Sequence, residues 1–363
     1  MPVDTPIPLL IEQALEHMRL WRIPAALPLL RQASAEAKLA DDLYHQLLVE
    51  FYLARCDYAE HHFSACINRA SRAARLLDEP SLAPSARNAL KVHHHQLLAL
   101  VAREKGNFSL ALSHWMQVLD LAMQQAMNQH LIDACLGVGE IYLLGQQYEQ
   151  AGQVYQLAFS RALMMADAPQ VVKAGLHWLS LLMNCQQYEQ AKSICQQVHT
   201  MMDEQIDPAW HIDLAINEAR LLLHDGQQLA AMQALQQLSA QCHAIGYYWG
   251  AAVVAKQLSR LWADAGQLEA ACQLLQQLTE LTEQQGSYCP AELYQLYAEF
   301  EHQRHRDQEA LRQLERYRSK RSEELLHLHQ RTAVMTPSRQ RLLDLTLENL
   351  LLRQQLSQVQ YAQ

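Results

Sequence analysis

The sequence of 363 residues contains little glycine and proline, 11 of each, and only 7% aromatic residues. It has no segments in which valine, isoleucine or threonine alternates with polar residues, the pattern that favours strands. Leucine, alanine and glutamine dominate instead, and these residues form helices readily. The composition therefore predicts an all-α protein, and the length allows two or three domains.

Other absences restrict the function. The chain has no run of about 18 apolar residues, which a membrane-spanning helix requires, and residues 1–6 lack the basic and apolar segments of a secretory signal. The eight cysteines form no CxxC pair, and their apolar helical surroundings favour reduced core thiols. The net charge of −9 gives no basic surface for nucleic acid. We therefore expect a cytoplasmic protein without a nucleic-acid or membrane partner.

The known catalytic and nucleotide-binding motifs are also missing. The sequence contains no GxGxxG, GxxxxGK[ST], GxSxG or HExxH. Histidine is frequent, with runs at 61–62 and 93–95, but adjacent histidines on a helix point about 100° apart and cannot close on one ion without distant partners. We interpret these histidines as helix-surface residues, and we predict no catalytic residue, no metal and no cofactor.

The sequence repeats with a period near 40 residues. The hexapeptide QQYEQA at 146–151 returns as QQYEQA at 186–191. Small residues recur in the same register at Ala26, Cys66, Ala111, Ala151, Ala191, Ala231, Ala271 and Ala310. Twelve residues before each of them lies a second series that is small in seven of eight cases: Ala14, Ala54, Ala99, Gly139, Leu179, Ala219, Ser259 and Ala298. Two such series predict eight helix pairs whose axes approach closely at the small residues.

The predicted corners and helix starts agree with this register. Gly106, Gly226 and Gly266 each lie five residues before a member of the first series, where a left-handed residue ends a helix. Proline lies where new helices should begin, at Pro84, Pro169, Pro208 and Pro290, and Asp167 and Asp207 are placed to cap two of these helices.

The order of small and aromatic residues resembles the tetratricopeptide repeat (TPR). Gly139 and Tyr142, followed by Tyr148, Ala151 and Tyr155, carry the resemblance, and it covers roughly residues 8–320. The period of about 40 exceeds the usual 34 and is similar to the longer units of bacterial signalling regulators. The resemblance implies a right-handed α-solenoid of about eight helix pairs over residues 1–320.

In a TPR-like stack the first helix of each pair lines a groove, so the resemblance implies a partner-binding groove here. Mixed charges along such a groove suit an extended peptide or a partner helix. The alternative is that they form only a solvated face. The residues at the inward positions are His93, Gln96, Arg103, Asp133, Glu140, Lys173, Asp213, Arg220, Lys256 and Arg260, with Glu292 and Glu299 beyond them.

The pattern changes in the C-terminal segment 321–363. A long charged helix is predicted over 311–335, and Thr336-Pro337-Ser338 separates it from a final helix at 339–360. The final helix carries a heptad seam, and its buried asparagine would favour a parallel pair. This seam predicts a homodimer, whereas the alternative is a helix that folds back to cap the solenoid. The seam residues are Leu342, Leu345, Asn349, Leu352, Leu356 and Val359.

This layout is similar to the sensory half of TPR-containing GGDEF diguanylate cyclases, although no GGDEF sequence is present. The resemblance therefore implies a non-catalytic regulatory scaffold that binds a protein or peptide and transmits a signal through a dimerising helix. The alternative is a receptor for a small ligand or signal peptide, similar to TPR-type quorum-sensing and MalT-like regulators. An enzyme with an unfamiliar site is the third hypothesis.

Overall fold

A computed structural model describes residues 6–19, 22–204, 206–285, 287, 289–332, 341, 345, 348 and 352. The described residues form helices and no strand, which confirms the predicted all-α fold. In chain order the helices are α1 (Ile7–Arg19), α2 (Ile23–Leu39), α3 (Leu43–Ala59), α4 (Phe63–Ala74), α5 (Pro84–Glu104), α6 (Phe108–Gln124), α7 (Asn128–Leu144), α8 (Tyr148–Met165), α9 (Ala168–Asn184), α10 (Tyr188–His199), α11 (Pro208–His224), α12 (Gln228–Ile245), α13 (Tyr248–Asp264), α14 (Leu268–Gln284), α15 (Ala291–Gln303) and α16 (Asp307–Thr332).

The helices belong to two compact units. One unit includes the helices up to Gln170, and the other extends from Val171 to Gln330, so the division falls inside α9. Each unit has its own apolar core, built from leucine, alanine and aromatic side chains of successive helices. The predicted limit of the repeat domain at residue 320 lies within the continuous helix α16, and this domain limit stays a prediction.

Consecutive helices pack as pairs through the two small-residue series. The pairs α3–α4, α5–α6 and α7–α8 pack side by side in the first unit, as do α11–α12 and α13–α14 in the second. All sixteen members of the two series are buried. Because small side chains let helix axes approach closely, the series mark the contact between the two helices of these pairs.

From α3 onwards, the corner inside each pair contains one left-handed residue. It lies five residues before the buried small residue of the second helix, and its φ is +71° at Gly106 and +77° at Gly226. Where glycine is absent, Gln146 and Gln186 adopt the same conformation, with φ of 58° and 59°. After Gln146, the Gln147 N–H donates to the carbonyl of Tyr142 at 2.9 Å, the bond that closes a Schellman motif.

The helix starts follow the proline and aspartate signals. α5 begins at Pro84 and α11 at Pro208. Asp207 Oδ1 accepts from the Ala209 N–H at 2.8 Å, and Asp167 Oδ1 accepts from the Gln170 N–H at 3.2 Å. These bonds satisfy backbone donors that a helix N-terminus leaves without a partner.

Two details differ from expectation. α16 begins at Asp307, four residues earlier than predicted, because the left-handed corner at His305 (φ 60°) lies only two residues before it. Tyr148 is 50% exposed although it shares a helical face with Ala151 and Tyr155. It is the first residue of α8, so it lies at the end of the contact with α7.

Candidate partner-binding face

The predicted groove residues lie at regular positions on the first helices of the pairs. Gln96 and Lys256 lie three residues before the small residues Ala99 and Ser259 of their helices. Gln96 Nε2 donates to Asp133 Oδ2 at 2.8 Å, and Lys256 Nζ donates to Glu292 Oε2 at 2.6 Å. Both acceptors lie on the next first helix, six residues before its own small residue. The same register therefore links neighbouring repeats in both units.

In the first unit, Gln96 is the centre of a polar chain on α5 and α7. It is 5% exposed, and its Oε1 accepts a hydrogen bond from His130 Nδ1 at 2.9 Å. The His130 ring meets the His93 ring edge-on at 4.6 Å between centroids. Burial, assisted by His130, lowers the pKa of His93 well below its ordinary value. His93 is therefore a neutral, packed group at neutral pH.

Arg103 connects three first helices. Its Nη1 donates to Glu140 Oε2 of α7 at 2.7 Å, and its Nη2 donates to Glu104 Oε1 at 2.8 Å and to the Tyr58 hydroxyl of α3 at 3.1 Å. Burial alone would lower the pKa of Arg103, but Glu140 and the other partners outweigh it and raise the pKa. The charge of Arg103 is thus neutralised inside the protein.

In the second unit, Asp213 on α11 carries a carboxylate without a cationic hydrogen-bond donor in the contacts that the structure gives. Its Oδ1 accepts from the Tyr247 hydroxyl at 2.9 Å. Burial raises the pKa of Asp213 to about 6 even though this hydrogen bond opposes the shift. Lys173, at the corresponding position of α9, is half-buried.

Arg220 differs from the other cations of this face. Its guanidinium donates to Asn217 Oδ1 at 3.2 Å and to Asn184 Oδ1 of α9 at 3.1 Å, so its described hydrogen-bond partners are neutral amides. Burial lowers its pKa. By contrast, Lys256 and Arg260 share Glu292 at 2.6 and 3.4 Å. Arg220 is consequently a positioned cation with no ion pair in the described residues.

Several of the predicted groove residues therefore bind one another, whereas the described hydrogen bonds join Arg220 to two amides and Asp213 to a tyrosine hydroxyl. Across neighbouring helices, Gln96 binds Asp133, Arg103 binds Glu140, and Lys256 and Arg260 both bind Glu292. The residues that support these contacts were not predicted from the sequence, because most of them bind a partner on a different helix. These missed residues are Tyr58, Glu104, His130, Asn184, Asn217 and Tyr247.

Neither a metal cluster nor a disulfide occurs in the described part of the chain. The described residues bring no three His, Cys, Asp or Glu side chains together in a way that could hold a metal ion. All eight cysteines are free, and burial raises the pKa of thiols such as Cys135, to about 12. Among the described helices, none has the length and apolar character needed to cross a membrane.

Solved structures with this fold are helical-repeat proteins. A signal transduction ATPase with numerous domains from Pyrococcus horikoshii, which has a tetratricopeptide repeat sensor, matches with a TM-score of 0.62 at 13% identity, over 88% of this chain and 49% of that chain. A Rap protein complexed with competence and sporulation factor matches with a TM-score of 0.55 at 12% identity, over 88% and 99%. The apo form of RapI matches with a TM-score of 0.53 at 14% identity, over 85% of this chain and 99% of that chain.

This chain has the fold of TPR-type helical-repeat proteins. No protein-family model matches it, and no curated protein matches it either. The predicted repeat fold is thus confirmed, while the partner and the function need their own support.

Proposed function

We propose that this protein is a non-catalytic regulatory scaffold that binds a protein or peptide partner on the face formed by its first helices. The observation that carries the proposal is the unpaired guanidinium of Arg220. Asn184 and Asn217 hold it in place, yet no carboxylate of the described residues neutralises it. A carboxylate of a bound partner would supply the missing charge and replace the solvation that Arg220 loses by burial.

Arg260 extends this basic feature. Its side chain is 48% exposed, and its ion pair with Glu292 is 3.4 Å long. An exposed pair of this length contributes little to stability, so Arg260 can exchange its partner. Arg220 and Arg260 together provide orientation for an acidic partner segment, and the satisfied pairs around Arg103 provide rigidity to their own unit.

Charge reversal on this face tests the proposal. The chain, immobilised, captures partners from a lysate of its source cells, and each captured protein is purified and titrated against the chain. Arg220→Glu with Arg260→Glu should weaken binding of the true partner at least tenfold. Arg31→Glu with Arg72→Glu, two exposed arginines on the second helices α2 and α4, makes the same change of charge and should leave binding unchanged. Undiminished binding by the first variant would remove this face from consideration.

We further propose that the C-terminal seam forms a homodimer that transmits the bound state. Leu342, Asn349, Leu356 and Val359 lie outside the described residues. Leu345 and Leu352 are helical and 46% and 58% exposed, which leaves them available for a second copy or for a capping contact. The layout shared with the sensory half of GGDEF diguanylate cyclases remains a prediction from the sequence.

The alternative is a receptor for a small ligand or signal peptide. The likeness to a Rap protein complexed with competence and sporulation factor, and to a protein with a tetratricopeptide repeat sensor, favours it as a second candidate. A receptor of this kind would bind its ligand with a stoichiometry of one and gain thermal stability from it. A screen of short acidic peptides by thermal shift, repeated with Arg220→Glu, distinguishes this receptor from a scaffold that responds only to a folded protein.

A further inference from the structure

Five histidines lie close together on the third and fourth helix pairs. His93, His94 and His95 are consecutive on α5, His114 lies on α6, and His130 lies on α7. His93 and His130 meet edge-on, as described above. His95 instead faces His114, the other helix of its own pair, with ring centroids 5.3 Å apart. The second histidine needed to complement His95 therefore comes from a position 19 residues later.

The two rings meet through their Nδ1 atoms, which are 3.1 Å apart. An ion bonded to both nitrogens at the usual zinc–imidazole length of about 2.0–2.1 Å would have a nitrogen–metal–nitrogen angle of about 100° at this separation. This angle lies between the tetrahedral and octahedral values. Both side chains must rotate so that the two lone pairs, which now face each other, point at one ion.

Both side chains are half-buried, so water can reach the open side of the pair. We propose that His95 and His114 form a two-histidine site for a late first-row divalent transition metal ion, such as Zn²⁺ or Co²⁺, with water completing the coordination. Neutral imidazole is a preferred ligand of these ions. The site uses two protein ligands, which agrees with the lack of any three-residue metal cluster in the described residues.

The protonation of the pair suits a metal. Without the ion, one Nδ1–H donates to the other Nδ1. On binding, that proton moves to Nε2 of the same ring, so both Nδ1 lone pairs reach the metal and no net proton is released.

The charged groups around the pair predict how the affinity can be changed. Lys91 lies one turn before His95 on α5 and carries a positive charge. The same charge repels a bound dication. Replacing Lys91 with glutamine should raise the metal affinity severalfold without removing either ligand.

Calorimetric titration of the full chain with Zn²⁺ alone tests the site. We expect one ion per chain, and His95→Gln and His114→Gln should each weaken it at least tenfold. His62→Gln, which removes an exposed histidine of α4's start, is the matched control and should have no effect. Zn²⁺ should also raise the melting temperature of the wild type, since it joins α5 to α6, and should not raise that of the two variants.

Titration with Co²⁺ identifies the ligands. Nitrogen and oxygen ligation gives visible bands without the near-ultraviolet sulfur-to-cobalt band that a cysteine ligand such as half-buried Cys185 would produce. Equal binding by wild type and His114→Gln, an equal loss in His62→Gln, or a dominant sulfur band would each overturn the proposal. The melting temperatures of the variants without metal establish that each is folded, and Lys91→Gln, which keeps both ligands, gives an independent gain of affinity to be measured.

Discussion

Gly139 of α7 and Tyr155 of α8 share one space. A Cβ atom on Gly139 would lie 2.2 Å from Tyr155 Cε1, closer than any pair of non-bonded carbons can approach. Tyr155 is fully buried, and it lies four residues after Ala151, the buried small residue of α8. The Tyr155 ring therefore occupies the volume that a side chain at position 139 would need.

The first prediction is that Gly139→Ala destabilises the protein despite the better helix propensity of alanine. The added methyl group must displace the buried ring of Tyr155, and such overpacking costs about 1–3 kcal/mol. Alanine returns about 1 kcal/mol of helix propensity, so a net loss of up to ~2 kcal/mol is expected in urea denaturation. Adding Tyr155→Leu should recover part of the loss through non-additivity. Gly145→Ala, with φ of −81° and no contact below 3.4 Å, is the control and should be close to neutral.

The second prediction concerns the corners that lack glycine. Gln146→Gly and Gln186→Gly should each stabilise the protein by up to about 1 kcal/mol, because a left-handed conformation costs a side chain about that much and costs glycine nothing. Thermal denaturation with chemical denaturant present measures the gain. Gln147→Gly, one residue later at the start of α8, should destabilise instead, since its φ of −93° needs no glycine. A gain from Gln147→Gly would contradict the explanation.

The third prediction concerns Arg103. Arg103→Met should cost about 1–3 kcal/mol, because Glu104, Glu140 and the Tyr58 hydroxyl lose their shared donor in a partly buried site. Arg103→Lys should recover only part of this, since one ammonium group cannot span partners on three helices. Arg260→Met is the matched change on an exposed arginine and should cost below about 1 kcal/mol. Equal losses of unfolding free energy for Arg103→Met and Arg260→Met would show that the hydrogen bonds of Arg103 add no stability beyond that of an exposed arginine.

The fourth prediction is a loss of stability in mild acid. Burial, with His114 contributing, lowers the pKa of His94 to about 4, and the pKa of His95 is also lowered to about 4. Their unfolded values are near 6.5, so below that pH the unfolded chain binds more protons and stability falls as pH falls towards 4. Asp213 acts in the opposite direction, because its pKa of about 6 favours the protonated native state below pH 6.

These two histidines outweigh one aspartate, and His93 and His114, whose pKa values are also lowered by burial, add to their effect. The melting temperature should therefore fall between pH 7 and pH 5, and the loss should be at least about 1–2 kcal/mol after allowance for solvent screening of the partly exposed rings. The measurement is a series of melts with a chelator present. His94→Gln with His95→Gln should make the curve less steep. An unchanged slope in this double variant would assign the pH dependence to other groups.

The fifth prediction concerns the C-terminal seam. Leu345→Lys with Leu352→Lys should halve the mass measured by light scattering if the seam forms the homodimer, because lysines on a seam repel each other. A chain that ends at Met335 should give the same result. If the final helix caps the repeats instead, both changes will leave the mass unchanged and lower the melting temperature.

The sequence alone was sufficient to predict the repeat. Two series of small residues twelve apart can recur every 40 residues only if the same close helix contact recurs, and all sixteen positions are buried in the structure. The left-handed corners could also be predicted where glycine marks them, at Gly106, Gly226 and Gly266. At Gln146 and Gln186 no glycine marks the left-handed residue, and the packing of the two helices holds a non-glycine residue in that conformation.

Only the tertiary structure decided which partners the polar side chains bind. The sequence placed Arg103 and Glu140 on one predicted groove, facing a partner, yet they bind each other at 2.7 Å across 37 residues of chain. Likewise, nothing in the sequence relates His95 to His114, or Arg220 to Asn184. Side-chain spacing along one helix determines which face a residue occupies, whereas the lateral distance between two helices determines whether its charge is satisfied within the fold or left for a ligand.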